Sequence, residues 1–144
     1  MKTFFDTSVL VAAMVESHSM HARALPWLKR AKEREFDWVV SSHSLAELYS
    51  VLTTLPVKPK ISPGTARRLV RDNVESLAQV VSLTVSDYSR TIARVADAGL
   101  IGGIVYDALH ARAASKAGIK RFLTFNPDDF RRAWPEGANV IKVP

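Results

Sequence analysis

An α/β fold around a central, mainly parallel sheet of four to five strands is predicted by three features of the 144-residue sequence. Short apolar runs rich in Val, Ile and Phe recur along it, longer helical patterns separate them, and the runs do not alternate apolar with polar residues. Strands that are apolar throughout are buried on both faces, which is the condition of a parallel sheet flanked by helices. The runs are Thr3–Phe5, Trp38–Val40, Val80–Leu83, Phe122–Phe125 and Val140–Val143.

After the first strand, Asp6 precedes an apolar segment, Val9–Val15, that starts a helix. Asp6 is itself a candidate cap for this helix; a cap at Thr7 or Ser8 would leave Asp6 free to face the crevice beyond the strand. His18 and His21 are one turn apart with only Glu16 near them, and read as the solvated start of a helix rather than as metal ligands. Ser41, Ser42 or Ser44 caps a helix that carries Leu45, Leu48, Val51, Leu52 and Leu55 on one face. Pro56–Gly64 is the densest turn signal, and Pro63 opens a helix running towards Leu77. Ser86 with Asp87 starts the next, which ends at Gly99. Tyr106–Ala117 is rich in alanine, closes at Gly118, and is expected to pack closely and be buried.

The composition suits one compact domain spanning residues 1–144. Hydrophobic residues make up 47% and charged residues 24%, which excludes a disordered or collagen-like chain. Twenty Lys and Arg against fourteen Asp and Glu leave a net charge of +6, favouring polyanionic partners, with nucleic acid first among them. The absence of cysteine excludes disulfides, thiolate zinc sites and cysteine nucleophiles. Asp6 interrupts the apolar N-terminus and Val9–Val15 is too short to span a bilayer, so a soluble, cytoplasmic protein without a membrane partner is expected.

In parallel α/β sheets ligands bind outside the carboxyl ends of the strands, where Asp6 and Asn126 stand. Glu47 lies on the flank of its helix, about a quarter-turn from the centre of the apolar face. Asp107 opens the alanine-rich helix, where a buried carboxylate needs a donor cluster or a metal. Asp6, Glu47 and Asp107, gathered with Asn126, Asp128 or Asp129 in one crevice, would carry about −3 charge, untenable without protons or cations. An all-oxygen donor set favours Mg²⁺, with Mn²⁺ as the alternative. Such an ion lowers the pKa of its water and offsets charge on a phosphoryl oxygen, so an acidic site in a basic protein suits hydrolysis of RNA phosphodiesters. His110, three residues after Asp107, is set outside the site as a hydrogen-bonded core residue. No Ser-His-Asp order, phosphate-binding glycine loop or dinucleotide fingerprint is present.

Four short motifs in this order, Phe5-Asp6-Thr7-Ser8-Val9-Leu10, Leu45-Ala46-Glu47, Tyr106-Asp107-Ala108-Leu109-His110-Ala111 and Leu123-Thr124-Phe125-Asn126, resemble those of PIN-domain proteins. The length is similar to that of the VapC-type toxins of toxin–antitoxin pairs. This resemblance implies a three-layer α/β/α sandwich and a metal-dependent ribonuclease. It further implies that Asp6, Glu47 and Asp107 ligate Mg²⁺ or Mn²⁺ directly or through water, with Ser8 supporting Asp6. A homodimer and a cognate antitoxin that inserts a segment near the active site are also implied. Many members carry a fourth acid where this chain has Asn126, so a single metal is expected unless Asp128 or Asp129 supplies the charge. The same departure motivates a second reading, a non-catalytic RNA-binding or regulatory module. An aspartyl-phosphate phosphotransferase ranks low, because Ser8 stands where that class wants a second Asp.

Overall fold

A computed structural model describes residues 1–144. Its elements are β1 (Lys2–Phe5), α1 (Thr7–Met14), α2 (His21–Lys32), β2 (Asp37–Ser41), α3 (Ser42–Thr54), α4 (Pro63–Val70), β3 (Gln79–Val81), α5 (Val85–Asp97), α6 (Ile104–Ala117), β4 (Arg121–Leu123), α7 (Pro127–Ala133) and β5 (Ile141–Lys142). The five strands form one sheet in the order β3-β2-β1-β4-β5, and every pairing is parallel.

Successive residues of a strand point to opposite faces, and here both faces meet helices. Phe5, Val40 and Leu123 join a core with residues of α1, α2, α3 and α4, while their neighbours Phe4, Val39 and Phe122 join another with Ala113 and Ala114 of α6 and Phe130 of α7. All six strand side chains are fully buried, which is why these strands read as unbroken apolar runs. The result is the expected three-layer sandwich.

Strand order places the site. From β1 the chain builds outward through β2 to β3, then returns to lay β4 on the other side of β1. Connections therefore diverge between β1 and β4, and the crevice at their carboxyl ends is where such sheets bind ligands.

Several boundaries differ from the sequence expectations for identifiable reasons. β3 covers Gln79–Val81 instead of Val80–Leu83, because its partner β2 offers only Val39–Ser41 and then turns into α3. The helix from Pro63 passes at Arg71 into a wider π-helical turn, Arg71–Glu75, that keeps Val70 and Val74 both buried. Thr84, rather than Ser86, caps α5, in a reciprocal capping box with Asp87. α2 continues through Pro26, the loss of one backbone donor being offset by burial of Ala24, Leu28 and Ala31. α6 begins two residues before Tyr106, after a turn in which Gly102 takes φ 72°, and ends at Gly118 with φ 70°, a conformation costly for any residue with a Cβ. No helix is long and apolar enough to cross a membrane.

Candidate active site

Asp6 both caps α1 and lines the crevice. Of the candidate caps it is Asp6 that serves, not Thr7 or Ser8: the Val9 N–H donates to Asp6 Oδ1 at 3.2 Å, and the Ser8 hydroxyl donates to the same oxygen at 2.5 Å. Thr124, just past β4, donates its hydroxyl to Asp6 Oδ2 at 2.7 Å. The Asp6 N–H donates to the carbonyl of Leu123, tying the ends of β1 and β4 together. Ser8 also accepts from the Phe125 N–H at 3.1 Å, so its hydroxyl braces both strand ends. Burial pushes the Asp6 carboxyl upward against the opposing pull of the Ser8, Thr124 and Val9 hydrogen bonds and the His110 charge.

Glu47 projects from the second turn of α3. Burial raises its carboxyl, but the hydrogen bond and charge of His110, the charge of His43 and the Thr7 hydroxyl together hold it below the usual carboxylate range. The Thr7 hydroxyl donates to Glu47 Oε1 at 3.3 Å, and His110 Nε2 bonds to that same oxygen. His43 Nε2 stands 3.8 Å from it, its ring stacked on Tyr106 with centroids 5.6 Å apart.

Asp107 lies in the first turn of α6, on the crevice wall. Its half-buried carboxyl has no hydrogen bond, and its surroundings are mostly of like charge. Burial first, then Asp129, with Asp6 and Glu47 adding to it against His110, pushes it up to about 6. These residues line a cleft of about 390 Å³ together with Thr7, Ser8, His18, Phe125 and Asn126. Asn126 stands at the cap position of α7 without a side-chain cap bond. Asp128 and Asp129 border a neighbouring hollow and pair with Arg131 and Arg132 at 3.4 and 3.8 Å. Asp129 reaches the cleft through its charge on Asp107.

No three of these side chains form a finished ligand cage. The donor set nevertheless fits a hard divalent ion that keeps several waters: all oxygen, with Asp107 unpartnered and Glu47 Oε2 free of the contacts that crowd Oε1.

Sequence reasoning missed four contributors. His110, set aside as a core residue, is buried and also bonds Glu47 directly. Its spacing of one helical turn from Asp107 was the available signal. Ser41 and Thr124 sit at the carboxyl ends of β2 and β4, the same strand-end position that singled out Asp6. His18, read as a solvated helix start, lines the cleft, and its Nδ1 accepts from the Met20 N–H at 3.0 Å.

The PIN domain profile matches residues 3–134. Ribonuclease VapC27 of Mycobacterium tuberculosis is 34% identical over 111 residues, 77% of this chain and 75% of that protein. Among solved structures, M. tuberculosis VapC20, described as a sarcin–ricin loop cleaving toxin, superposes with a TM-score of 0.67 at 20% identity, covering 88% of this chain and 92% of that one. Rickettsia felis VapBC2, bound to a DNA fragment from its promoter, gives 0.64 at 18% identity over 100% of this chain and 99% of that one. With Asp6, Glu47 and Asp107 lining one cleft and these relatives at this coverage, the chain belongs to the PIN-domain family, alongside its VapC ribonucleases.

Proposed function

We propose that this chain is a Mg²⁺- or Mn²⁺-dependent endoribonuclease acting in the cytoplasm as the toxin of a toxin–antitoxin pair, with residues 1–144 working as one nuclease domain. The observation that carries the reading is Asp107, a half-buried carboxyl with no hydrogen-bonding partner, pushed up to about 6 in a cleft shared with Asp6 and Glu47. A divalent cation bound there would answer the charge that burial and the neighbouring carboxylates make costly.

Asp6, Glu47 and Asp107 would hold the ion, which when bound offsets charge on a phosphoryl oxygen and lowers the pKa of water at that place. The protein's own part is rigidity. Ser8, Thr124 and the Val9 N–H fix both oxygens of Asp6, so its orientation is set before substrate arrives. Asn126 brings a neutral amide to the wall, which suits one ion rather than two. The net charge of +6 draws the RNA backbone, and the exposed pairs of Arg131 and Arg132 with Asp128 and Asp129 exchange readily for phosphate contacts. A second copy of the chain and a cognate antitoxin, with a segment inserted near the cleft, complete the proposed set of partners.

Total cellular RNA incubated with purified wild-type and Asp6→Asn protein, in Mg²⁺, Mn²⁺ or chelator, tests this reading. Discrete fragments that require the divalent ion and vanish in the variant are expected. Intact RNA in every lane from folded, antitoxin-free protein, or undiminished cleavage by the variant, would overturn it.

A further inference from the structure

We infer that His110 is a positioning residue that anchors one oxygen of Glu47 and thereby presents the other to the cleft. The inference rests on the reading of Glu47 as a metal-holding carboxylate. His110 is itself buried, its side chain 4% exposed, so it touches Glu47 rather than RNA.

The bonding pattern holds the His110 ring at both of its nitrogens. An ionised Glu47 accepts only, so His110 Nε2 must carry a proton and donate to Oε1. His110 Nδ1 lies 2.7 Å from the Ser41 hydroxyl, which can donate to a bare Nδ1 or accept from a protonated one, so the ring is held at both nitrogens in either state. Ser41 Oγ in turn accepts from the Ser44 N–H at 3.2 Å and has the Ser44 hydroxyl at 3.2 Å. Ser41 and Ser44 are both buried, so this chain of donors has no water to compete for it. It begins at the buried end of β2 and terminates on the Glu47 carboxylate.

Both side-chain hydrogen bonds to that carboxylate, from His110 and the Thr7 hydroxyl, fall on Oε1, and the His43 ring stands near the same oxygen. Oε2 has none. A glutamate on a helix flank ordinarily samples several rotamers, and fixing one oxygen removes most of that freedom before an ion binds. The arrangement parallels the way a partner beyond the ligands orients a metal-binding side chain.

The test is Mn²⁺ binding by calorimetry, without RNA, to wild-type, His110→Ala, His110→Asn and His110→Gln proteins, with a thermal melt of each. Gln places its amide where imidazole Nε2 stands and retains the bond to Glu47. Asn reaches only the Nδ1 position and retains the bond to Ser41. Ala and Asn are expected to weaken Mn²⁺ binding roughly ten- to a hundredfold, and Gln to recover most of the loss. Equal affinity in all four proteins, or Gln no better than Asn, overturns the inference while the metal reading stands. Absence of Mn²⁺ binding by the wild type overturns both. If the Ala variant does not fold, the contrast between Asn and Gln decides.

Discussion

Asp87 and Asp107 occupy the same position in the local architecture, the first turn of a helix, and meet opposite surroundings. Asp87 accepts from the N–H and hydroxyl of Thr84 in the cap of α5, and receives Arg112 at 3.0 Å and Lys116 at 2.9 Å from α6. Those partners, Lys116 foremost, hold its carboxyl well below the usual carboxylate range. Asp107 has no such partner and is pushed up to about 6. A charge that is fully answered fastens two helices together; a charge left unanswered costs stability and is available to something that binds.

The sharpest way to break this contrast is to remove each carboxylate in turn. Asp107→Asn should lower RNA cleavage on the order of a thousandfold, measured as initial rates in Mg²⁺ at fixed substrate, because charge stabilisation worth several kcal/mol is lost. Asp87→Asn should leave the cleavage rate of the folded protein unchanged and lower its melting midpoint, since two cations and a cap lose their common acceptor. Without divalent ions the order of stability reverses. Asp107→Asn should be more stable than wild type near pH 7 by about 1 kcal/mol, after discounting for its partial exposure, seen as a rise of a few degrees in melting temperature. Added Mn²⁺ should raise the wild-type midpoint and erase that advantage.

The smallest effect is the pH dependence, and it separates the two groups by sign. Asp107 titrates higher in the folded than in the unfolded chain, so the stability it contributes is complete below about pH 4 and is lost as pH rises through about 6. Asp87 titrates lower when folded, so its contribution is present above about pH 4 and is lost as pH falls. Urea unfolding across this range in chelator should show Asp107→Asn flattening the upper limb and Asp87→Asn the lower. A shared profile for both variants would contradict the comparison.

What was legible in the sequence was local. Asp6 stands out by its place after a strand; Glu47 on a helix flank and Asp107 at a helix start have ordinary structural explanations and gain weight only from the four motifs taken together, while the fully apolar strands declare the parallel sheet. What was not legible joins residues far apart. Ser41 and His110 are 69 residues apart and Thr124 and Asp6 are 118 apart, and no spacing in the chain announces either bond. The cap of α1 is not decided locally for a related reason: preference ranks Ser and Thr beside Asp, and Asp6 is held by Ser8 from within the helix and by Thr124 from 118 residues away. His110 was set aside because a buried histidine on a packed helix usually serves the core. Only the crossing of α6 over β2 brings it against Ser41 and Glu47.

The bond from Thr124 to Asp6 also orders events in time. A ribosome delivers β1, β2 and β3 well before β4, and until β4 docks beside β1 the carboxylate of Asp6 lacks its outer brace and the cleft lacks the wall formed by Phe125 and Asn126. The nascent chain therefore carries Asp6, Glu47 and Asp107 before it carries the residues that complete the cleft around them. Synthesis must run past Asn126 before the cleft has all its walls.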